Sequence, residues 1–215
     1  MSIPKIKICC ISSVEEAKLA SKYGASALGL VSAMPSGPGP ISEELIAEIV
    51  GHIPDGIASF LLTSKQDAES IIAQQRKTKA NTLQLVDSVS FDVYAALRKE
   101  LSNISIVQVI HVIDESSIDE AKSVAPFVDM ILLDSGNPKL AIKELGGTGR
   151  KHDWNLSRKI VESVNIPVFL AGGLNVENVQ EAIHFVQPYG VDLCSSVRTN
   201  GKLDETKLKL FFEAI

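Results

Sequence analysis

Residues 130–133 read Met-Ile-Leu-Leu, and Asp134 follows directly. Every position of this run is apolar, so it lacks the alternation of a strand that has one face in water. Runs of this kind are typical of parallel strands covered on both faces. On either side along the chain, similar apolar runs alternate with stretches that have the amphipathic period of helices. The sequence therefore indicates an α/β fold with a largely parallel sheet.

The alternation of strand and helix repeats eight times within 215 residues. The predicted strands are 5–11, 27–31, 58–62, 82–85, 105–112, 130–133, 168–170 and 191–194, and the predicted helices are 14–23, 43–52, 65–77, 91–101, 118–125, 156–164, 176–186 and 205–214. Eight such units in this length favour a closed (β/α)8 TIM barrel, a single domain over residues 1–215. An open doubly wound sheet is the alternative. Two polar or flexible loops, 32–40 and 135–152, follow strands and are expected at the catalytic rim.

The charge balance argues against polyanionic partners. Lys and Arg total 21 against 26 Asp and Glu, a formal net charge of -5, and no basic run stands out. We therefore expect no nucleic-acid partner. The longest apolar stretch, 104–113, is too short to span a membrane, and the N-terminus lacks a signal-peptide core. The expectation is a cytoplasmic protein that does not bind membranes and acts as a monomer or a homodimer.

The cysteines and histidines do not form a metal-binding pattern. Cys9, Cys10 and Cys194 show no CxxC or Cys/His ligand spacing, and the adjacent pair is poorly suited to bridge itself. We expect neither a disulfide nor a metal site, and each thiol is either a core residue or a reactive group. His111 and His152 are expected to have structural roles.

Small residues at the ends of the last two predicted strands indicate a phosphate site. Gly172 and Gly173 follow the seventh strand, and Ser195 and Ser196 follow the eighth. Barrels commonly bind phosphate there, with backbone N–H groups and hydroxyls. Gly147, in the loop after strand six, would add a donor or belong to a flap over the ligand. The alternative is that these glycines only turn the chain.

Two side chains are candidates for acid and base catalysis. Alternation along an extended strand places Lys7 and Cys9 on one face and Cys10 on the other. A nearby ammonium favours the thiolate of Cys9. Lys7 is also expected to contact the phosphate-bearing substrate. Asp134 emerges at the carboxyl end of strand six, where it could act as a general acid. The alternatives are a packed Cys9 and an Asp134 that only caps its loop, and Asp192 is expected to hold loops by hydrogen bonds.

Several motifs together resemble the phosphoribosylanthranilate isomerase family, over essentially the whole chain. They are Lys7-Ile8-Cys9-Cys10-Ile11, Leu132-Leu133-Asp134-Ser135, Gly146-Gly147-Thr148-Gly149 with Asp153-Trp154, Ala171-Gly172-Gly173-Leu174-Asn175 with Glu177-Asn178-Val179, and Pro188-Tyr189-Gly190-Val191-Asp192.

The resemblance implies an Amadori rearrangement in tryptophan biosynthesis. The substrate would be the small phosphosugar N-(5-phosphoribosyl)anthranilate, the product a 1-deoxyribulose phosphate, and no metal or organic cofactor would be needed. The resemblance implies that Cys9 is the general base and Asp134 the general acid. It also implies that the glycine and serine turns described above form the phosphate site.

The sequence departs from the family pattern where the anthranilate would bind. Cys10 replaces a glycine, and residues 34–40 read MPSGPGP, with no arginine at or beside Gly39. In the family that arginine is thought to hold the anthranilate carboxylate. The family's QLHG reads Gln84-Leu85-Val86-Asp87 here, and Asp87 could repel an anionic aglycone. Arg198 could compensate for the missing arginine from another loop. Two further functions stay open: a related isomerase or lyase acting on a phosphosugar with another aglycone, and a non-catalytic phosphometabolite-binding protein.

Overall fold

The computed structural model describes residues 3–215. The strands are β1 (Lys5–Ile8), β2 (Ala27–Val31), β3 (Ala58–Thr63), β4 (Thr82–Leu85), β5 (Ser105–His111), β6 (Met130–Asp134), β7 (Val168–Leu170), β8 (Gly190–Leu193), β9 (Arg198–Thr199) and β10 (Lys202–Leu203). The helices are α1 (Val14–Lys22), α2 (Glu43–Val50), α3 (Ala68–Thr78), α4 (Phe91–Glu100), α5 (Ser116–Val124), α6 (Trp154–Ser163), α7 (Val179–Val186) and α8 (Glu205–Glu213). Across residues 3–215, no helix has the length and apolar character needed to cross a membrane.

The first eight strands close into a parallel barrel in chain order. The seam pairs β1 with β8, where Lys7 lies opposite Asp192 and Ile8 opposite Leu193. Strands β9 and β10 form a separate antiparallel pair before α8. The predicted (β/α)8 barrel is confirmed, and the open sheet is excluded because β1 and β8 pair.

Alternation along the strands divides the buried residues into two layers. Leu28 and Leu30 of β2 point outward and belong to the core between barrel and helices. Ala27 and Val31 point inward, where they pack with Phe60 of β3 and with other interior side chains. Such layers fill a small barrel completely. Reactive groups can therefore reach a ligand only at the end of the barrel.

Side-chain caps fix where several helices begin. Ser13 accepts a hydrogen bond from the N–H of Glu16, and Asp153 and Asp204 cap α6 and α8 in the same way. Helix α3 begins at Ala68, later than predicted, because Asp67 is its cap. Each cap ends the preceding loop, so the helices define the length of the loops at the carboxyl rim.

Strand β1 ends three residues earlier than predicted, because Cys10 leaves the extended conformation. Its φ is +62°, in the left-handed region that favours glycine. The expectation that Cys10 points away from Cys9 is therefore wrong, since both side chains line the same pocket.

Candidate active site

A pocket opens at the carboxyl ends of the strands and encloses about 730 Å³, counting its open mouth. Its polar groups come from three strands, with Cys9 after β1, Asp134 on β6 and Asp192 on β8. Apolar side chains of the neighbouring strands complete the floor, and the walls come from the two long loops. The loops 32–40 and 135–152 thus lie at the catalytic rim, as expected. Ser36 joins them by donating a hydrogen bond to the carbonyl of Lys143.

Lys7 lies fully buried beneath this pocket, without lining it. Its Nζ is 2.7 Å from Asp192 Oδ2 and 5.3 Å from the centre of the Phe60 ring. A Cβ on Gly29 would lie 2.8 Å from Cys9 Sγ and 3.1 Å from Lys7 Nζ. Glycine on β2 therefore leaves the space in which thiol and ammonium approach each other. The expected substrate contact of Lys7 is not supported, but its place beside Cys9 matches the sequence interpretation.

The charges of this group favour a thiolate. Burial by itself lowers the pKa of Lys7, but Asp192 and then Cys9 outweigh it, so the pKa of Lys7 is raised. Burial raises the pKa of Asp192 and Lys7 opposes that rise. Because Nζ and Oδ2 are 2.7 Å apart, we treat them as an ion pair. The Cys10 thiol and the Lys7 ammonium lower the pKa of Cys9, although burial acts against them. Lys7 is the cause that the geometry shows directly, because Cys10 Sγ hydrogen-bonds Cys194 and Pro38 instead.

Asp134 is buried at the end of β6 and faces the same pocket as Cys9. Its Oδ1 accepts a hydrogen bond of 2.8 Å from the N–H of Ser135. A Cβ on Gly146 would lie 2.6 Å from Oδ2, so this glycine lets the loop after β6 close over the carboxyl group. Burial lowers the pKa of nearby His152 to about 4, which keeps the imidazole neutral at pH 7. The structure thus brings both proposed proton-transfer groups to one cavity.

A groove beside the pocket contains the predicted phosphate-binding residues. Gly173, Ser195 and Ser196 line it, and Gly172 lies next to it in the main pocket. Gly172 and Gly173 have φ values of +84° and +65°. A Cβ on Gly173 would come within 2.9 Å of the backbone of the loop after β6, so only glycine fits. Ser196 Oγ is buried and finds no hydrogen-bond partner among residues 3–215. Gly147 lines the main pocket from above.

Arg198, expected as a substrate contact, does not line the pocket. After the 3₁₀ turn Ser195–Val197, its guanidinium points back toward the start of α1. It lies 3.1 Å from Glu16 Oε1 and donates to the carbonyls of Cys9, at 3.1 Å, and Cys10, at 2.6 Å. The two carbonyl contacts hold the backbone at Cys9 and Cys10.

No Lys or Arg side chain among residues 3–215 lines the pocket. Gly39 has a φ of +77°, and a Cβ there would lie 2.7 Å from Cys10 Cβ, so the two positions are sterically matched. Asp87 is buried and paired with Lys143, whose Nζ lies 2.5 Å from it. This pairing balances the charge of Asp87, which does not line the pocket, so the expected repulsion of an anion is not supported.

Gln84 is a site residue that the sequence reasoning missed. It lies on β4, is 3% exposed and lines the pocket. Its Oε1 finds no hydrogen-bond partner within the described part of the chain. The sequence does mark this residue: Gln84 is an amide between two leucines, at a strand position whose side chain points into the barrel.

Known proteins share this architecture and part of this sequence. The model of the family described as N-(5'phosphoribosyl)anthranilate (PRA) isomerase matches residues 6–214. N-(5'-phosphoribosyl)anthranilate isomerase 2 of Methanosarcina mazei is 41% identical over 206 residues, covering 95% of this chain and 90% of that protein.

Two solved structures extend this likeness to the backbone. The phosphoribosyl anthranilate isomerase of Thermotoga maritima superposes with a TM-score of 0.82 at 29% identity, covering 99% of this chain and 98% of the other. A phosphoribosyl anthranilate isomerase in complex with reduced 1-(o-carboxyphenylamino)-1-deoxyribulose 5-phosphate gives 0.79 at 27% identity, with the same coverage. This chain belongs to the PRA isomerase family.

Proposed function

We propose that this protein isomerises N-(5'-phosphoribosyl)anthranilate to the corresponding 1-deoxyribulose phosphate by general acid and base catalysis. The observation that carries the proposal is the placement of Cys9 and Asp134 in one pocket, beside a glycine-lined groove. All these residues come from one chain, so the reaction is compatible with a monomer or a homodimer.

Asp134 acts first, as the general acid. It protonates the furanose oxygen, and the C1–O bond breaks as the anthranilate nitrogen supplies an electron pair to form a Schiff base. A carboxyl group that faces the pocket from the end of β6 is placed for this proton transfer. The loop that closes over Asp134 at Gly146 also keeps water from the imine.

Cys9 acts second, as the general base. Its thiolate removes the proton from C2 of the sugar, and the resulting enolamine tautomerises to the amino ketone. Lys7 supplies the positive charge that favours the thiolate. The phosphate would bind the N–H groups of Gly172 and Gly173 with the hydroxyls of Ser195 and Ser196, which places the sugar between acid and base.

The carboxylate of anthranilate finds only neutral donors in the pocket. Gln84 and Thr148 line it, and Ser36 stands on the loop that carries Gly39. An amide or hydroxyl holds a carboxylate less strongly than a bidentate guanidinium does. The lack of a lining cation, among residues 3–215, favours one second candidate: an isomerase or lyase for a phosphosugar whose aglycone lacks the carboxylate.

The test is a steady-state assay that follows the loss of anthranilate fluorescence. We expect Cys9→Ala and Asp134→Asn each to lower kcat by at least about 10²-fold, the usual contribution of one proton-transfer group. Asp119→Asn, on the exposed face of α5, is the matched control and should retain wild-type kcat.

A second substrate separates the two candidates. The analogue with hydrogen in place of the anthranilate carboxylate should turn over with a lower kcat/KM than the parent compound. A higher kcat/KM for the analogue would favour the second candidate. Wild-type turnover by both variants would refute the assignment of acid and base.

A further inference from the structure

Two thiols meet at the rim of the pocket, apart from the base. Cys10 Sγ and Cys194 Sγ are 2.8 Å apart, and both cysteines are free. Cys10 Sγ also lies 3.5 Å from the carbonyl oxygen of Pro38, on the loop after β2. The acid and base mechanism uses neither thiol.

The barrel seam explains why the two side chains meet. Ile8 pairs with Leu193 across β1 and β8, and the N–H of Cys9 continues this ladder to the carbonyl of Leu193, at 2.7 Å. Cys10 and Cys194 therefore follow the ends of neighbouring strands. The positive φ of Cys10 turns its side chain into the pocket and toward Cys194.

The geometry points to a reversible disulfide, and we propose that Cys10 and Cys194 form one by exchange with a small-molecule disulfide and that this bond lowers the isomerase activity. A bonded S–S distance is about 2.05 Å, so the sulfurs need to approach by about 0.8 Å. Cys194 is partly exposed and both thiols line the open pocket, so a small disulfide can reach them.

The exchange takes two balanced steps. The thiolate of Cys194 attacks one sulfur of the small disulfide, which gives a mixed disulfide and releases one thiolate. Cys10 sulfur then attacks Cys194 sulfur and releases the second thiolate. The two cysteine protons pass to the two leaving thiolates, so two small thiols are formed for each protein disulfide.

The bond would change the site at two points. It would tie the residue after Cys9 to the residue before Ser195, and so link the base to the phosphate groove. The hydrogen bond to Cys194 raises the pKa of Cys10, so Cys10 is the thiol that keeps its proton. Oxidation removes that proton from the rim of the pocket. We expect the oxidised protein to bind and orient the substrate less well. This loss of activity rests on the proposed function, whereas the disulfide itself does not.

The first experiment counts thiols in the whole protein. The chain is incubated with oxidised glutathione, quenched in acid and alkylated with N-ethylmaleimide. We expect the oxidised protein to be lighter by two hydrogen atoms before alkylation, and the number of alkylated thiols to fall from three to one. Tryptic peptides 8–18 and 160–198 should be cross-linked. Cys9 and Cys10 lie on the same peptide, so Cys9→Ser is the control that tells them apart. This variant should still form the link.

The second experiment measures activity before and after oxidation, and again after reduction with dithiothreitol. Wild-type kcat/KM should fall at least fivefold and recover. Cys10→Gly and Cys194→Ser should show neither cross-link nor loss, and glycine suits the backbone at position 10.

Three results would overturn the proposal. They are three alkylatable thiols after oxidation of the folded wild type, a link that involves Cys9, and a cross-link that leaves kcat/KM unchanged. If the reduced protein does not isomerise the phosphoribosyl substrate at all, the mass measurement still decides whether the disulfide forms, so the two proposals fail separately.

Discussion

Cys9 combines burial with an adjacent cation, and these act on its pKa in opposite directions. Burial raises the pKa of the thiol and Lys7 lowers it. Asp192, paired with Lys7, acts on the thiol in the opposite sense from Lys7. The thiol proposed as the base is therefore controlled by two charges with which it forms no hydrogen bond. Each of these two charges can be removed by a separate substitution.

Lys7 and Asp192 should move the pH profile of the enzyme in opposite directions. Lys7→Met removes the cation, so thiolate forms at higher pH, and the acidic limb of kcat/KM should move up by about one pH unit. Asp192→Asn removes an anion and should move the same limb down. The double variant, which leaves no unpaired buried charge, controls for misfolding. If the acidic limb moved in the same direction in the two single variants, this account would be contradicted.

Position 39 shows how one side chain constrains another. A Cβ at Gly39 would overlap Cys10 Cβ, and both residues have positive φ. The sequence showed both departures from the family, but not that they touch, because they belong to different loops. Contacts between loops depend on how the barrel closes, which a local pattern does not encode.

At the level of elements, periodicity was sufficient for most strands and helices. The bounds of β2, β4 and β7 agree with the prediction. The end of β1 was wrong, because the backbone turns at Cys10. The position of Arg198 outside the pocket was not predictable either, because no sequence signal marks the 3₁₀ turn before it.

Arg198 connects three elements and should matter for stability rather than for substrate binding. Burial raises the pKa of Glu16, but hydrogen bonds from Arg198 and from the N–H groups of Leu203 and Ser12 outweigh it, so the pKa of Glu16 is lowered. The ionised Glu16 thus stabilises the fold above its ordinary pKa of about 4.3, and this contribution is lost as the pH falls through the lower folded value.

Arg198→Met should lower the free energy of unfolding at pH 7 by about 2 kcal/mol, because it leaves a largely buried carboxylate without its cation. The deficit should shrink toward pH 3, where Glu16 takes up a proton. Urea unfolding at both pH values measures the change, and Glu16→Gln with Arg198→Met should recover part of it. A large rise in KM with unchanged stability would instead restore Arg198 as a substrate contact.

At the level of the whole molecule, the proposed catalytic pair depends on closure of the barrel. Cys9 follows the first strand and Asp134 ends the sixth, and the Lys7–Asp192 pair crosses the seam between the first and last strands. Neither half of the chain contains the complete site. The same closure joins the outer core residues of all eight strands into one cluster.

We therefore expect the chain to unfold as one cooperative unit, in agreement with a single domain. Trp154, the only tryptophan, is buried at the start of α6 and reports on the second half of the barrel. Helices throughout the chain contribute to the far-ultraviolet circular dichroism. In a urea titration the two signals should change with the same midpoint, because strands that share one closed sheet lose their partners together. A tryptophan transition at a different midpoint would show that the second half unfolds separately, and that the seam carries less of the stability than the closed sheet indicates.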